Sequence, residues 1–398
     1  MSRVYITGKG IISSLGLNVE ENLAALREGK SGIGKANYFR SNFADNYFFG
    51  EVGFNDDQLQ SICGVSDEKE LTRTTLLAMC AFSEAIQDAG LSATDVGSFS
   101  TAFISSSTVG GMCYTDELYT DANMKGSPSD YVKSYEGSDH TLRIIRKYGI
   151  VGYSDTINTA CSSSANAVLL GAKLIKTGRV SRAIVGGTDC LAKYTVNGFN
   201  SLMILSDQAC MPFDRNRSGL TLGEAAAYIV LENEKASENK KRFAEVTGFG
   251  NASDAFHPSA TSEEARGPIN AMRKALASAK LHPDQIEYIN AHGTGTVNND
   301  FTESYAFSNI FNKVPPYNST KSYTGHTLAA AGASELIFST LSMMHSELYP
   351  SLRCKEPIEE FDFKPLDCYA PNVNINNIIS NSFGFGGNCT SIVLSKCS

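Results

Sequence analysis

Residues 158–168 constrain the fold most, because they place a cysteine between a predicted strand and a predicted helix. Residues 153–157 are short and partly β-branched, which favours a strand, whereas residues 165–176 repeat apolar side chains at spacings of three and four, which predicts a helix. Cys161 therefore lies where a strand passes into a helix. Unpaired amides and the helix dipole at that point favour a thiolate. The segment predicts an α/β unit with a nucleophilic cysteine at the start of its helix.

An alternative interpretation of Cys161 is a small buried residue. The chain has ten cysteines, and free cysteine commonly packs in cores as a small hydrophobe. We therefore interpret Cys161 as a nucleophile only if a base and an oxyanion site occur elsewhere in the chain. The serines that follow it, Ser162, Ser163 and Ser164, suggest a serine hydrolase as a further alternative. No GxSxG motif surrounds them, so capping and packing roles are favoured.

Strands alternate with helices along the whole chain, which predicts an α/β fold with a mainly parallel sheet. The predicted strands are residues 4–7, 101–105, 153–157, 182–187, 225–232, 286–290 and 391–395, and the predicted helices are residues 19–29, 68–90, 165–176, 263–279, 301–311 and 327–348. The same order of elements begins again near Phe243. We therefore predict an N-terminal half over residues 1–240, with a polar, mostly helical insertion near residues 112–150, and a C-terminal half over residues 241–398.

Composition and charge argue against several classes of function. The net charge of −8 argues against nucleic acid as a general partner. The ten cysteines form no CxxC pair and the six histidines form no HxxxH pair, so no structural zinc site is expected. Scattered cysteines favour a reducing cytoplasm, and Met1, Ser2 and Arg3 lead directly into a predicted strand, so no targeting segment is expected. No run of about 18 apolar residues occurs, so we expect no transmembrane helix.

Three further loops carry residues that suit catalysis. His292 follows the predicted strand 286–290, and His326 precedes a predicted helix whose first residues are small enough to pack closely against another helix, such as that of Cys161. Each histidine has a structural alternative, as a hydrogen-bonding residue or as a helix cap. Residues 384–387 place Phe385 among glycines, which is typical of an ordinary turn or of a mobile gate whose amides face an oxyanion. Such loops lie beyond the carboxyl ends of strands, where ligands bind parallel sheets.

Together the four loops resemble those of the β-ketoacyl-acyl carrier protein synthases, the elongating condensing enzymes (Cys-His-His class) of the thiolase superfamily. The resemblance covers nearly the whole chain and rests on residues 158–164, 290–296, 321–335 and 381–387, in the family's order and roughly its spacing. It implies a thiolase-like α/β fold of two similar halves. Each half would hold a five-stranded sheet, and the halves would stack in five layers, αβαβα, in a protein that is usually a dimer.

The resemblance also implies catalytic roles. Cys161 would be the acyl-accepting nucleophile, and its amide would form an oxyanion hole with the amide of Phe385. The two active-site histidines would be His292 and His326, with Lys321 and Glu303 as the charged support behind them.

The remaining implied roles concern the gate, the substrate and a cation. Phe385 would be a gate that swings on Gly384 and Gly386. The substrate-binding residues would be Thr294 and Thr296 for the pantetheine arm, and Phe199 and Val109 for the gate and the wall of the acyl pocket. A monovalent cation site would comprise Asn290, Glu335, Ser380 and Asn381. A buried hydrogen-bond cluster is the alternative interpretation of those four residues.

The implied function is a decarboxylative Claisen condensation, in which an acyl group on Cys161 reacts with malonyl-acyl carrier protein to give 3-ketoacyl-acyl carrier protein. No cofactor is implied beyond the 4′-phosphopantetheine that the carrier brings. The implied partners are acyl carrier protein and a ketosynthase-like chain, in a homodimer or a heterodimer. Because carrier protein is acidic, a basic patch is expected at the entrance, and Lys69 and Arg73 on the predicted helix 68–90 are the candidates.

Departures from the family's pattern indicate a specialised pathway as an alternative to fatty-acid synthesis. Val297, Asn298 and Asn299 replace a usual proline and glycine, and residues 223–227 read Gly-Glu-Ala-Ala-Ala where the family has more glycine. The specialised pathway would make a polyene or polyketide-like lipid.

Three other functions are weighed against a condensing enzyme. A chain-length-determining partner subunit of a heterodimeric ketosynthase usually lacks the cysteine, which is present here. A degradative thiolase or an initiating enzyme with a Cys-His-Asn set does not account for His326. A binding or scaffold protein leaves the joint occurrence of Cys161, His292, His326 and Lys321 unexplained.

Overall fold

Strands and helices alternate through the chain, and the computed structural model describes them over residues 2–65 and 71–397. The strands are β1 Tyr5–Ser13, β2 Phe49–Gly50, β3 Thr101–Ser106, β4 Ser154–Ile157, β5 Arg182–Asp189, β6 Leu222–Gly223, β7 Ala225–Glu232, β8 Ala244–Ser253, β9 Tyr288–Asn290, β10 Tyr317–Asn318, β11 Glu347–Leu348, β12 Ala370–Pro371, β13 Asn377–Phe383 and β14 Asn388–Ser395.

The α-helices cover both faces of the strands. They are α1 Val19–Glu28, α2 Asp56–Cys63, α3 Arg73–Asp88, α4 Ala93–Val96, α5 Thr115–Met124, α6 Asp139–Tyr148, α7 Ser163–Lys176, α8 Lys193–Ser201, α9 Arg266–Ala279, α10 Val297–Ile310, α11 Lys321–Thr324 and α12 Ala331–His345. The predicted α/β fold is confirmed, but the prediction of a mainly parallel sheet is wrong, because β7 runs antiparallel to β1 and β5 and β14 runs antiparallel to β8 and β13.

Ten strands are hydrogen-bonded side by side in the main sheet, in the order β10-β9-β13-β14-β8-β1-β7-β5-β3-β4. The first five in this order come from the second half of the chain and the last five from the first half. Among the described strands, the two groups of five are joined where antiparallel β1 and β8 pair Tyr5 with Glu245 and Ile6 with Ala244. The predicted pair of five-stranded sheets is therefore present, and the two sheets meet at one edge.

Helices form three layers around the two sheets. Helix α3 packs on β1 and β7, and helix α9 packs on β8 and β14. Helices α7 and α12 lie between the sheets, because α7 contacts both β5 and β14 while α12 contacts both β7 and β13. The predicted five-layer arrangement is confirmed, and it buries the start of the Cys161 helix at the centre of the molecule.

The close packing of α12 against the Cys161 helix is also confirmed. A Cβ atom at Gly332 would lie 2.8 Å from the Cβ atom of Ala165, so only glycine fits this approach. The Ser164 hydroxyl accepts a hydrogen bond of 2.9 Å from the Ala333 amide across the same contact. Small residues therefore bring the two central helices together, as their sequence predicts.

Several helix boundaries differ from the predicted ones. Helix α10 begins at Val297 rather than Phe301, and a 3₁₀ turn, Leu328–Ala330, precedes α12. Among the described residues, α3 begins at Arg73 because the Thr72 side chain caps it by accepting from the Thr75 amide. Residues 32–64, which carry no periodic pattern, nevertheless contain α2.

The prediction that Arg73 belongs to an exposed basic patch is wrong. Its guanidinium donates hydrogen bonds to Glu224 at 2.6 Å and to Asp56 at 2.8 Å, and its side chain is 13% exposed. Glu224 is fully buried, and a buried carboxylate requires a cation to offset its loss of hydration. Lys69 lies outside the described residues.

Helices in the described parts of the chain are too short or too polar to cross a lipid bilayer. The expectation of no transmembrane helix is met for those residues.

Candidate active site

Three predicted catalytic side chains converge at the carboxyl ends of the strands. Cys161 lies between β4 and α7, His292 follows β9, and His326 precedes the 3₁₀ turn at the start of α12. The Cys161 sulfur and a nitrogen of each histidine all lie within 4.8 Å of one another, and all three residues are buried. The two imidazole rings stand edge to face, with centroids 5.4 Å apart and an interplanar angle of 85°. Convergence of the three loops is therefore observed.

The serines beside Cys161 shape the turn that carries it. Ala160 has a φ of 54°, so the chain reverses sharply just before the cysteine. The Ser163 hydroxyl donates to the Ala160 carbonyl and accepts from the Thr159 amide at 2.9 Å. The Ser162 hydroxyl donates to Asn388, 2.9 Å away, beyond the glycine-rich loop. The expected packing role accounts for these contacts, whereas the expected cap is absent, because the Ser162 side chain makes no hydrogen bond to the first amides of α7.

Burial controls the resting state of Cys161. Loss of hydration raises the pKa of the Cys161 thiol to about 11, although the Phe385 amide, the Lys321 charge and the amide of Cys161 itself act in the opposite direction. The expectation that the helix start favours the thiolate is therefore wrong for the resting site, because desolvation outweighs the dipole. The same two amides face the sulfur, where an oxyanion hole requires donors.

Hydrogen bonds fix the tautomers of both histidines. The Lys321 ammonium donates to Nδ1 of His292 at 3.2 Å, and the Leu328 amide donates to Nδ1 of His326 at 3.0 Å. Each Nδ1 is thus an acceptor, so the proton of each neutral ring lies on Nε2. Burial and the Lys321 charge hold the pKa of both imidazoles well below 6.5. The site therefore offers two neutral N–H donors beside the cysteine sulfur.

This arrangement favours an oxyanion over a metal ion. A cysteine and two histidines at this separation could hold a metal only if both Nε2 atoms presented lone pairs. The donors on Nδ1 oppose that tautomer, whereas an oxygen that gains negative charge would accept from both Nε2–H groups. The Nε2 atom of His326 is buried and has no protein partner, so it is free to bind substrate.

Nitrogen NMR of histidine side chains tests this assignment. With ¹⁵N-labelled histidine, we expect His292 and His326 to show neutral Nε2–H rings down to pH 6, because their pKa lies well below 6.5. Exposed His257 serves as an internal reference signal in the same spectra. Protonation of either buried ring between pH 7 and pH 6, or a proton on Nδ1, would contradict the assignment.

Lys321 is fully buried and pairs with Glu335 rather than with Glu303. Its ammonium also donates to the His292 carbonyl at 2.6 Å, so three acceptors use its three protons. Glu303 instead accepts from the amides of His292 at 2.9 Å and Gly293 at 2.8 Å. Burial raises the pKa of Glu303 and that of Glu335 to about 7. Both carboxyl groups hold the histidine loop, but only Glu335 forms an ion pair with Lys321.

The glycine-rich loop closes over the nucleophile. The ring of Phe385 stacks on that of Phe199, with centroids 5.7 Å apart and an interplanar angle of 21°. A Cβ atom at Gly384 would lie 2.7 Å from the Thr159 carbonyl, so glycine is needed for this approach to the Cys161 turn. Gly386 has a φ of 80°, which favours glycine. The loop therefore has the backbone freedom that a gate requires.

A cavity of about 290 Å³ leads from Cys161 to the surface and is lined by both histidines, by Thr294 and Thr296, and by Phe199 and Phe385. The hydroxyls of Thr294 and Thr296 are hydrogen-bonded at 2.8 Å. Val109 is buried but does not belong to this lining. The cavity has the size of a small-molecule channel with one polar wall.

Known proteins share this sequence pattern and this architecture. The sequence model of the beta-ketoacyl synthase N-terminal domain matches residues 1–237, and that of the C-terminal domain matches residues 243–355. The chain belongs to the β-ketoacyl synthase family. It is 32% identical to the 3-oxoacyl-[acyl-carrier-protein] synthase 2 of Coxiella burnetii, over 99% of this chain and 98% of that protein.

Solved β-ketoacyl synthase structures superpose on the full length of the chain. The ishigamide ketosynthase/chain length factor aligns with a TM-score of 0.93 at 28% identity, covering 100% of both chains. A ketosynthase from Xenorhabdus doucetiae, solved in complex with its chain length factor, aligns with a TM-score of 0.85 at 32% identity, covering 100% of this chain and 98% of that one. The thiolase-like fold is thereby confirmed.

Asp189 is a residue of this β-ketoacyl synthase that the sequence analysis missed. Its buried carboxylate accepts hydrogen bonds from Ser107, Thr108 and the Val109 amide, and from the Ala329 amide at 2.8 Å. It therefore ties the loop after β3 to the turn that follows His326. In the sequence, the signal that could have identified Asp189 is an acidic residue at the end of an apolar strand.

The four residues of the predicted cation site lie on β9, α12 and β13, and one of them, Glu335, is the ion-pair partner of Lys321. Asn290 of β9 pairs in register with Ser380 of β13, and Asn381 donates to Glu303 at 3.2 Å. Both side-chain polar atoms of Asn290 and one carboxylate oxygen of Glu335 are buried without a protein partner. The unpartnered oxygens of Asn290 and Glu335 are of the type that a hard cation binds, whereas the Asn290 amide nitrogen is not, and the Asn381 oxygen already accepts from Ser391.

Proposed function

We propose that the chain is a β-ketoacyl-acyl carrier protein synthase that forms 3-ketoacyl-acyl carrier protein by decarboxylative Claisen condensation. The observation that carries this proposal is the cysteine sulfur within 4.8 Å of two imidazole nitrogens, whose neighbours hold both rings as Nε2–H donors. Acyl carrier protein is the partner that presents both substrates on 4′-phosphopantetheine. No other cofactor enters the reaction.

The first half-reaction transfers the acyl group. The Cys161 sulfur attacks the thioester carbonyl, a new carbon–sulfur bond forms, and the bond to the pantetheine sulfur breaks. The carrier thiol leaves with the proton that the cysteine gives up. The amides of Cys161 and Phe385 face the sulfur and donate to the oxyanion of the tetrahedral intermediate.

The second half-reaction joins the two acyl units. The malonyl thioester loses carbon dioxide, and the electron pair of the broken bond forms an enolate whose oxygen accepts from the Nε2–H groups of His292 and His326. One such donor is typically worth about 10²- to 10³-fold in rate. The enolate carbon then attacks the acyl thioester, and Cys161 leaves as the 3-ketoacyl product forms. Lys321 and Glu303 keep the His292 loop in place during both steps.

Turnover by the purified chain alone tests the proposal. Acyl-carrier protein and malonyl-carrier protein are mixed with the chain, and intact mass spectrometry detects the 3-ketoacyl-carrier product. Product formed without any other ketosynthase supports the proposal. Turnover that appears only when a second ketosynthase-like chain is added would favour the alternative, a chain-length-determining partner subunit. Saturated and polyene acyl groups, offered side by side, separate fatty-acid synthesis from a specialised lipid pathway.

We also propose that the chain dimerises through the edge of its first sheet, with a second copy or with a related chain. Strand β4 is the outermost strand and pairs only with β3 among the described strands. Val151 and Tyr153 beside it are 51% and 46% exposed, and Met124 of the helical insertion is 82% exposed. Exposed edges with apolar neighbours favour pairing. A sedimentation mass of one chain at micromolar concentration would contradict a homodimer.

We propose a reducing cytoplasm as the site of action. All ten cysteines are free, including exposed Cys368. A reducing compartment preserves such thiols, the nucleophile among them. Cell fractionation with an antibody to the chain tests this location.

A monovalent cation fits the residues at Asn290, Glu335, Ser380 and Asn381, and we propose that they hold one. The orphaned atoms of Asn290 and Glu335 carry this assignment. A cation bound by these oxygen ligands would hold Glu335 in position for its ion pair with Lys321. Its only chemical contribution would be positive charge behind the loop that carries His292. None of the bond-making steps depends on it.

Exchange of the cation tests this site without measuring activity. Replacing 100 mM KCl or NaCl by tetramethylammonium chloride should lower the melting temperature by a few degrees. A cation present at 100 times its Kd raises the free energy of unfolding by about 2.7 kcal/mol, and this contribution would be lost. The Asn290→Ala variant should lose this sensitivity. Equal melting temperatures in all three salts would indicate a closed hydrogen-bond cluster.

A further inference from the structure

Asp189 is a fully buried acid that the proposed mechanism does not use. It ends β5, and among the described residues its hydrogen-bond donors are hydroxyls and backbone amides rather than a lysine or an arginine. Burial raises the pKa of Asp189, although these donors act in the opposite direction. A charge buried without a cation is costly, so it is more characteristic of a functional site than of a stabilising contact.

Both carboxylate oxygens of Asp189 are required as acceptors. Oδ1 accepts from the Ser107 hydroxyl and from the Val109 amide at 2.8 Å. Oδ2 accepts from the Thr108 hydroxyl and from the Ala329 amide at 2.8 Å. A hydroxyl can reverse its hydrogen bond, but a backbone amide can only donate. A side-chain amide of the same shape therefore cannot replace the carboxylate, because its NH₂ group would face a backbone N–H.

The Ala329 amide links Asp189 to the tautomer of His326. Ala329 lies in the 3₁₀ turn Leu328–Ala330, and Leu328 has a φ of 51°, a left-handed conformation that is unfavourable for leucine. The Leu328 amide donates to Nδ1 of His326 at 3.0 Å, and the next amide along the chain donates to Asp189. A strained turn persists only where its surroundings hold it. The carboxylate supplies such a contact, one residue away from the amide that His326 requires.

We propose that Asp189 is a positioning residue that keeps the proton of His326 on Nε2. Its carboxylate holds the 3₁₀ turn, the turn presents the Leu328 amide to Nδ1, and Nε2–H is left to donate to the enolate oxygen. The catalytic consequence rests on the proposed function, whereas the effect on the tautomer does not. His292 is independent of Asp189, because the Lys321 ammonium donates to its Nδ1.

The Asp189→Asn variant, labelled with ¹⁵N-histidine, tests this role by NMR. The new NH₂ group should take the place of Oδ2, which faces the Ala329 amide, because two amides, those of Thr108 and Val109, lie within 2.9 Å of Oδ1. It would then repel the Ala329 amide and release the turn. His326 should lose its pure Nε2–H signal and gain an Nδ1–H form, while His292 keeps its signal.

Glu232→Gln is the matched control. Glu232 is also a fully buried carboxylate, and it pairs in register with Arg182 at the opposite end of β5. This variant should lower the melting temperature but leave both histidine signals unchanged. Asp189→Glu is the second variant. It retains two acceptor oxygens, so His326 should keep its proton on Nε2, and it tests the proposal even where Asp189→Asn does not fold.

Rates measured on the same variants separate positioning from loss of folded protein. In Asp189→Asn, malonyl decarboxylation should fall about 10-fold or more, a part of the 10²- to 10³-fold that one oxyanion donor typically contributes. Acyl transfer to Cys161 should change far less, because the amides of Cys161 and Phe385 serve its oxyanion.

Three results would overturn the proposal. They are an unchanged Nε2–H signal of His326 in Asp189→Asn, an Nδ1 proton on His326 in Asp189→Glu or Glu232→Gln, and equal slowing of acyl transfer and decarboxylation. Histidine signals that change as expected, in a chain that shows no turnover before substitution, would support the role of Asp189 and refute only the proposed function.

Discussion

The Cys161→Ala variant should lose condensation by about 10⁴-fold or more while still decarboxylating malonyl-carrier protein. Loss of a nucleophile typically costs this much when no other group can form the covalent intermediate. The histidine donors do not depend on the cysteine, because Lys321 and the Leu328 amide fix their tautomers from the opposite side. Carbon dioxide release and 3-ketoacyl product, measured on one sample, separate the two activities.

The corresponding control is Cys210→Ala. Cys210 is buried and lies near Lys321, whose carbonyl it contacts at 3.4 Å, but it does not line the cavity. Both activities should stay within a few-fold of those of the unmodified chain. Loss of carbon dioxide release in Cys161→Ala would show that the cysteine takes part in decarboxylation, contrary to the proposed division of roles.

The His326→Ala variant should show the opposite pattern. Removing one of two donors to the enolate oxygen should lower malonyl decarboxylation by about 10²- to 10³-fold. Acyl transfer to Cys161 should change far less, because its oxyanion faces the amides of Cys161 and Phe385 rather than the imidazole. Single-turnover acylation and carbon dioxide release, measured separately, distinguish these steps.

The His140→Gln variant controls for the loss of a buried histidine. His140 is buried and hydrogen-bonds to Ser105, whose hydroxyl also contacts Tyr228, and it does not line the cavity. Its replacement should lower the free energy of unfolding but leave decarboxylation within a few-fold. If His326→Ala slowed acylation and decarboxylation equally, His326 would act on the nucleophile as well as on the enolate.

The positions of the catalytic loops could be predicted because they follow from local patterns. Cys161 and His292 each follow a short strand, and ligands bind α/β sheets beyond the ends of strands. The small residues at the start of α12 likewise predict its approach to the Cys161 helix. The convergence of the loops could not be derived from spacing along the chain, because β4 and β9 lie in different sheets that the packing of α7 on α12 brings together.

Charge partners could not be predicted, because they depend on contacts between distant segments. Arg73 and Glu224 are 151 positions apart in the sequence. Their contact places Arg73, which was predicted to lie in a surface patch, in a buried ion pair. Lys321 pairs with Glu335 rather than with Glu303 because α12 places the Glu335 carboxylate beside the Lys321 ammonium. The pKa of Cys161 depends on burial, which no local pattern reveals. The helix dipole alone therefore predicts a lowered pKa, whereas the pKa is raised.

The most direct test of the account is the mass of the acyl-enzyme. The purified chain is incubated with acyl-carrier protein alone, digested with protease, and analysed by tandem mass spectrometry. The account predicts one acyl group in thioester linkage on the peptide that contains Cys161, and none in Cys161→Ala. Acylation of another of the ten cysteines, or no acyl-enzyme with any carrier offered, would contradict it.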